Sequence, residues 1–262
     1  MIARAPPPAI CCRISGFSLQ RGWKWRARMI TFAARQRWTL MQLFHTLHTE
    51  ADYLLSRLTG RKARARRAAF EAFETALSRL GPGALAIDLG ANVGVYTERL
   101  AETGADVIAF EPDPHAFSLL QARVGTRPNV RLIPAAAGVA DGKINLYRRT
   151  DFDAAPDRRT SSSSIFSDKH KMDPGRPHEV EMIGFPDFLG RLNREVAVLK
   201  IDIEGAEVPL IEALLQSPDF ARVDQVFIES HERVVRALAA RTRALKARTR
   251  CLTRPRVNWD WH

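Results

Sequence analysis

The chain has 262 residues, 45% of them hydrophobic, which suits one α/β core of moderate size with an additional segment. No run of 18 apolar residues occurs, so no membrane-spanning helix is expected, and three cysteines (Cys11, Cys12 and Cys251) without metal-ligand spacing favour a reducing cytoplasm over a disulfide-linked fold. The net charge of +11 is uneven: residues 1–70 hold 14 Lys/Arg against 2 Asp/Glu, residues 71–232 hold 17 against 26, and residues 233–262 hold 9 against 1.

The first 80 residues are interpreted as a basic N-terminal extension and residues 81–262 as the catalytic domain. Residues 1–28 have no clear period and are expected to be poorly ordered, whereas residues 29–58 suit one or two helices. Apolar residues at Phe70, Phe73, Leu77 and Leu80 are spaced by three or four and predict an amphipathic helix over 61–80.

A glycine loop follows the first predicted strand, Ala84–Asp88. Gly90, Asn92 and Gly94 form this loop, and a helix is predicted from about Val93 to Glu102. A second strand, predicted over 106–110, ends at Glu111, 23 residues after Asp88. A glycine turn between strand and helix, followed at this distance by an acid, is typical of a site for an adenosine-containing cofactor, in which the acid binds the ribose.

The loop chemistry favours S-adenosylmethionine over a dinucleotide. A dinucleotide site has G-x-G-x-x-G, whose middle glycine admits the pyrophosphate, whereas this chain has Asn92 there. Asp88 at the strand end would repel phosphate and attract a cationic sulfonium. A nicotinamide-dependent oxidoreductase remains the alternative.

The rest of the chain alternates between the two element types, which predicts a mostly parallel, doubly wound sheet. The polar segment 151–177 is interpreted as a loop, either near the acceptor or a plain insertion. Helices are predicted over 115–124, 186–192, 208–215 and 233–248, and strands over 130–133, 143–149, 180–183, 196–203 and 225–229, with 257–261 as a closing strand.

Acidic residues stand at the ends of two strands and suggest a catalytic cluster. Side chains two apart in a strand share a face, so Asp202 and Glu204 should point together, as should Glu229 and His231. If the two strands are neighbours, the four side chains converge. The base that removes an acceptor proton is then His231 or Asp202, or a Mg²⁺ ion held by Asp202, Glu204 and Glu229 lowers the acceptor's pKa. Lys200 is expected to pair with Asp202 or Glu204.

Four motifs in order resemble the FkbM-type methyltransferases. The resemblance implies a class I methyltransferase fold (Rossmann-like, α/β), here with an N-terminal helical extension, and S-adenosylmethionine as donor. It also implies seven strands, the last part of the sheet being abbreviated or completed by the strands at 143–149 and 180–183. The motifs are Ile-Asp-Leu-Gly-Ala-Asn-Val-Gly-Val-Tyr-Thr (87–97), Phe-Glu-Pro-Asp-Pro (110–114), Leu-Lys-Ile-Asp-Ile-Glu-Gly-Ala-Glu (199–207) and Ile-Glu-Ser-His-Glu (228–232).

The expected function is therefore an S-adenosylmethionine-dependent O-methyltransferase acting on a small-molecule hydroxyl, such as that of a saccharide or a polyketide-like acceptor. Asp88, Gly90, Asn92, Gly94 and Glu111 would bind the cofactor, and Asp202, Glu204 and His231 would be catalytic.

A nucleic-acid methyltransferase using the basic flanks is a rival. It is disfavoured because the middle of the chain is acidic, and because Asp202-Ile-Glu-Gly205 replaces the Asn/Asp-Pro-Pro-aromatic motif of base-flipping enzymes. A scaffold with a degenerate cofactor site is the non-enzymatic rival.

Overall fold

The computed structural model describes residues 60–150, 152, 172–231 and 238–261. Arg61–His262 is one compact unit. The helices predicted over 29–58, and most of the loop predicted over 151–177, lie outside the described residues. Among the described residues, no helix combines the length and the apolar character needed to cross a bilayer.

Helices and strands alternate through most of the described chain. The helices are α1 (Arg61–Leu77), α2 (Val95–Glu102), α3 (Pro114–Val124), α4 (Phe185–Leu192), α5 (Glu207–Leu214) and α6 (Ala239–Thr249), with a 3₁₀ helix at Pro218–Arg222. The strands are β1 (Leu85–Leu89), β2 (Asp106–Phe110), β3 (Val130–Ile133), β4 (Ala136–Gly138), β5 (Gly142–Leu146), β6 (His178–Gly184), β7 (Val196–Ile201), β8 (Val223–Ile228) and β9 (Arg256–Asn258).

The main sheet has the order β3-β2-β1-β7-β8-β9, and every neighbouring pair is parallel. This confirms the predicted mostly parallel α/β fold. The predicted closing strand is present as β9, which pairs with β8 through Val226 and Val257. Strand β1 is buried along its whole length, as its apolar sequence predicts for a strand covered on both faces.

Helices cover both faces of this sheet. On one face, Phe73 of α1 packs on Phe227 of β8 and on Trp261, with ring centroids 5.1 and 4.3 Å apart. On the other face, Ile211 of α5 and Leu245 of α6 belong to the same buried cluster as sheet residues from β1, β7 and β8. Helix α1, which the sequence assigns to the N-terminal extension, is thus packed against the sheet.

The strands predicted at 143–149 and 180–183 do not complete the main sheet, so this alternative is wrong, and the sheet is abbreviated within the described residues. They form β5 and β6 of a second sheet with the order β4-β6-β5, in which β6 is antiparallel to β5 and parallel to β4. Strand β4 was not predicted, because its sequence Ala-Ala-Gly has no alternating pattern. The main sheet therefore has six strands within the described residues, not the seven implied by the resemblance.

Two element ends differ from prediction. Helix α2 begins at Val95 because Gly94 has φ +86°. Strand β7 ends at Ile201, not at residue 203, and the chain then turns through Glu204 (φ +56°) and Gly205 (φ +116°). Glu204 consequently lies in a turn, and the alternation rule that grouped it with Asp202 does not apply to it.

Candidate active site

The proposed site residues gather at the carboxyl edge of four adjacent strands, β2-β1-β7-β8. Asp88 is in β1, Glu111 follows β2, Asp202 follows β7 and Glu229 follows β8. The register pairs Ile201 with Ile228, so the last two acids leave the sheet side by side. This is the edge at which open α/β sheets bind ligands.

The glycine loop bends sharply over the end of β2. The N–H groups of Gly90 and Ala91 both donate to the carbonyl oxygen of Phe110, at 3.0 and 2.9 Å. Gly90 has φ +77°, and a Cβ at this position would lie 1.8 Å from the carbonyl oxygen of Asp202. The loop and the turn after β7 are therefore in backbone contact, and only glycine fits between them.

Asn92 supplies a polar atom that the described protein leaves unbonded. Its backbone is left-handed, with φ +50°, and its N–H donates to Glu111 Oε2 at 2.7 Å. The side-chain Oδ1 is buried and has no hydrogen-bond partner. A buried amide oxygen without a donor is costly, so a bound ligand that supplies one would stabilise this loop.

Glu111 is held in a fixed orientation beside the loop. Its two oxygens accept hydrogen bonds from the N–H groups of Asn92 (2.7 Å) and Asp113 (2.8 Å). Burial raises the pKa of Glu111 to about 8, although the two backbone hydrogen bonds act in the opposite direction. The sequence places an acid at this strand end, while its burial depends on the packing around β2.

Asp88 lies behind the glycine loop. It is fully buried, and it accepts hydrogen bonds from Thr97 Oγ1 (2.7 Å) and Lys200 Nζ (2.9 Å). Lys200 Nζ also donates to the carbonyl oxygen of Gly90 at 3.2 Å and lies 3.9 Å from Asp202. Lys200 is thus an ion-pair partner, as expected, but its nearest acid is Asp88. The pair supports the loop from below.

The structure brings three acids of the predicted cluster together around His231, the fourth member. His231 Nε2 lies 3.2 Å from Glu204, 3.9 Å from Asp202 and 4.0 Å from Glu229, measured to carboxylate oxygens. Asp202 and Glu204 keep 27% and 19% of their side-chain surface exposed, so the cluster opens towards solvent. Such a cluster can accept a proton and hold a cation.

Sequence reasoning missed Glu207, the first residue of α5. Glu207 is 1% exposed, and its Oε1 lies 2.8 Å from His231 Nδ1. The same oxygen accepts the N–H groups of Ile203 and Gly205, both at 3.1 Å. An acid at the first position of a helix is a usual acceptor for free N–H groups, and this signal was present in the sequence. Together with Asp202 and His231, Glu207 offers metal-ligand atoms within 4.8 Å of one another.

The charges in the cluster shift the pKa values of His231 and Glu229. Burial would lower the pKa of His231, but the hydrogen bond and charge of Glu207, with the charges of Glu204 and Asp202, raise it to about 9. Burial, together with the charge of Asp202, raises the pKa of Glu229 to about 7, and His231 acts against this rise. At neutral pH His231 therefore carries a proton on both ring nitrogens, and Glu229 holds its proton to a higher pH than an exposed glutamate does.

Residues 88–244, more than half of the chain, match the family model described as the methyltransferase FkbM domain. The chain is also 44% identical over 55 residues to ribosomal RNA small subunit methyltransferase A of Thermotoga maritima, and 45% identical over 53 residues to the protein of that name from Thermotoga neapolitana. These alignments span 21% and 20% of this chain and 20% of each relative, so only about a fifth of the relatives' length is matched. No solved structure matches the chain.

Proposed function

The chain belongs to the FkbM methyltransferase family, and within that activity we propose that it methylates a hydroxyl group of a small molecule. The family implies S-adenosylmethionine as methyl donor, so the nicotinamide-dependent oxidoreductase considered from the glycine loop is set aside. The cysteine usage keeps the cytoplasm as the proposed compartment.

The residues at the ends of β1 and β2 fit this donor. Asn92 Oδ1 lacks a hydrogen-bond donor among the described residues, and the amino group or the ribose hydroxyls of S-adenosylmethionine can provide one. The carboxyl group of Glu111 is fixed at the end of β2, where it would hold the ribose, with Gly90 and Gly94 forming the loop. Asp88 would act indirectly, because it binds Lys200, which donates to the carbonyl oxygen of Gly90 in the loop. When bound, S-adenosylmethionine supplies a methyl group already activated on a sulfonium.

The observation that carries the proposal is the contact between Gly90 and the backbone of Asp202. This contact fixes the proposed catalytic turn against the cofactor loop, so a hydroxyl bound at Asp202 would be close to the donor. We assign Asp202 as the group that accepts the hydroxyl proton, because His231 already carries its protons at neutral pH. His231 and Glu204 then orient the Asp202 carboxylate, and the positive charge of His231 balances its negative charge. A positioned base contributes about 10²–10⁴ in rate.

The charge around the cluster selects the acceptor. Asp202, Glu204 and Glu229 surround a single histidine, so an anionic acceptor would be repelled. A neutral polyol offers hydroxyl groups that can donate to these carboxylates. We therefore propose a saccharide or polyketide-like acceptor.

A Mg²⁺ ion bound by Asp202, Glu204 and Glu229 is the alternative way to lower the acceptor's pKa, since oxygen ligands suit this ion. The imidazolium of His231 competes with it, because Nε2 lies within 4.0 Å of all three acids. Chelation separates the two mechanisms. Methyl transfer that survives EDTA supports the proton-transfer role of Asp202, and a loss that Mg²⁺ restores assigns the metal.

The test is transfer of a labelled methyl group to a panel of neutral saccharides and polyketide-like alcohols, with the product identified as a methyl ether by mass spectrometry. Asp202→Asn should lower kcat by about 10²–10⁴ while donor affinity, measured by calorimetry, changes little. Asp187→Asn is the matched control, because Asp187 is exposed in the first turn of α4 and is not one of the proposed site residues. Full activity of the Asp202 variant would reject this base. Products methylated only on nitrogen or carboxyl groups would reject the hydroxyl acceptor.

RNA is the second candidate acceptor. It is favoured by the short matches to ribosomal RNA methyltransferases and by the basic residues 1–70 and 233–262. Incorporation of labelled methyl into ribosomal RNA, with binding that weakens steeply as salt rises, would replace the small-molecule proposal.

A further inference from the structure

The turn after β7 and the start of α5 are tied together by Glu207. Its Oε1 accepts two backbone N–H groups, those of Ile203 and Gly205, which flank Glu204. Both Glu204 and Gly205 have left-handed backbones, and these hydrogen bonds hold them there. A left-handed conformation is unfavourable for glutamate, and glycine without such bonds would adopt other conformations as readily. Glu207 therefore shapes the turn that carries Asp202 and Glu204.

The same oxygen fixes the hydrogen-bonding state of His231. Glu207 Oε1 accepts hydrogen bonds from two backbone N–H groups, and His231 Nδ1, at 2.8 Å, is the third donor to the same oxygen. The proton of this contact belongs to Nδ1. Nε2 is then the ring atom that faces the opposite side, where Glu204, Asp202 and Glu229 lie at 3.2, 3.9 and 4.0 Å.

We propose that Glu207 is a positioning residue that keeps a proton on His231 Nδ1, in the neutral ring as well as in the imidazolium, and thereby directs Nε2 at Asp202 and Glu204. This inference rests on the proposed function, since it matters only if that cluster handles the acceptor proton. Glu207 is almost completely buried and touches no substrate by itself, so it acts through His231 and through the turn. Without it, the ring could rotate or protonate on Nε2 alone, and the carboxylates would lose their shared partner.

The first measurement uses the unmodified protein and needs no substrate. Nitrogen-15 NMR of labelled histidine reports which ring nitrogen is protonated, and His231→Gln assigns the signal among the seven histidines. We expect His231 to keep its Nδ1 proton over the whole range in which the protein is folded. A neutral form protonated on Nε2 would overturn the inference, whatever the acceptor is.

The second measurement separates orientation from general support. Glu207→Ala should lower kcat on the order of 10²-fold, because misplacing a catalytic group by about 1 Å has that effect, with donor affinity and KM little changed. Glu207→Gln should recover part of kcat, since its amide oxygen can still accept from Nδ1 and from the turn. The control is Glu212→Ala on the same helix, where the side chain binds Arg241 at the surface and full activity is expected.

The kinetics of the Glu207 variants can also contradict the positioning role. A Glu207→Ala variant with normal kcat, or one whose loss is entirely in donor affinity, would overturn the positioning role. If the Ala variant does not fold, the Gln variant and the NMR measurement still decide. Failure to methylate any hydroxyl would sink the proposed function and leave the Nδ1 result intact, so the two failures are distinguishable.

Discussion

Substituting Gly90 by Ala should damage both stability and catalysis, and Gly83→Ala separates the reasons. Both glycines have left-handed backbones, φ +77° at Gly90 and +88° at Gly83, so each alanine variant should lose about 1–2 kcal/mol from the conformation alone. Gly83 has nothing within 4 Å of its added Cβ. At Gly90 the Cβ would lie 1.8 Å from the carbonyl oxygen of Asp202, and real Cβ contacts essentially never fall below 3.0 Å.

The loop and the turn after β7 must therefore separate by at least 1.2 Å in Gly90→Ala. Overpacking of this kind costs about 1–3 kcal/mol beyond the conformational term, so we expect a total loss of about 2–5 kcal/mol. The displaced Asp202 should also lower kcat on the order of 10²-fold. Urea unfolding and methyl-transfer kinetics measure both effects. Equal stability losses in Gly83→Ala and Gly90→Ala, or a normal kcat in the latter, would refute the argued contact.

Three further predictions concern the buried charges. Lys200→Met should cost about 3–5 kcal/mol in urea unfolding, because it leaves Asp88 charged and unpaired, and adding Asp88→Leu should recover part of the loss. His231 gains protons in the folded state, since its pKa rises from 6.5 to about 9. Its stabilisation, about 3 kcal/mol, is full below pH 6.5 and lost as pH rises through 9, so His231→Gln should flatten the unfolding free energy over that window. The pKa of Glu111 rises from 4.5 to about 8, so the free energy of unfolding again decreases as the pH rises. In the unmodified protein this decrease should be at most about 5 kcal/mol between pH 4.5 and 8, and Glu111→Gln should remove it. The same variant should abolish binding of S-adenosylmethionine.

These three predictions fail in different ways. Additive losses in the Lys200 and Asp88 variants would mean that the two side chains do not act as a pair. A pH dependence unchanged by His231→Gln or by Glu111→Gln would mean that the replaced group titrates alike in the folded and unfolded chains. Calorimetry with S-adenosylmethionine tests the Glu111 variant separately, and unchanged donor affinity would remove its proposed contact with the ribose.

Local patterns predicted most of the elements well. The strand over 106–110 and the strand over 130–133 have the predicted bounds, because each is a short apolar run between turn residues. Errors arose at element ends. Strand β7 ends at Ile201 although its apolar pattern continues to Ile203, because an apolar run does not show where the chain leaves the sheet.

Sheet membership could not be read from the chain. Strands β5 and β6 have ordinary strand patterns, yet they pair with β4 instead of extending the main sheet. Pairing depends on which edges are free once the helices have packed, and this information is spread over the whole domain. The short β4, with its Ala-Ala-Gly sequence, is recognisable only through its partner.

The sequence alone determined the chemistry at each strand end: the glycine loop with Asn92, the acid at 111, and the Asp202 and His231 motifs, because these are carried by contiguous residues. Tertiary structure alone decided which of these groups meet. It buried Asp88 against Lys200, placed the carbonyl oxygen of Asp202 against Gly90, and brought Glu207 within hydrogen-bonding distance of His231 Nδ1. Distances, burial and the pKa changes that follow from them depend on contacts between residues far apart in the chain, and no local pattern encodes those contacts.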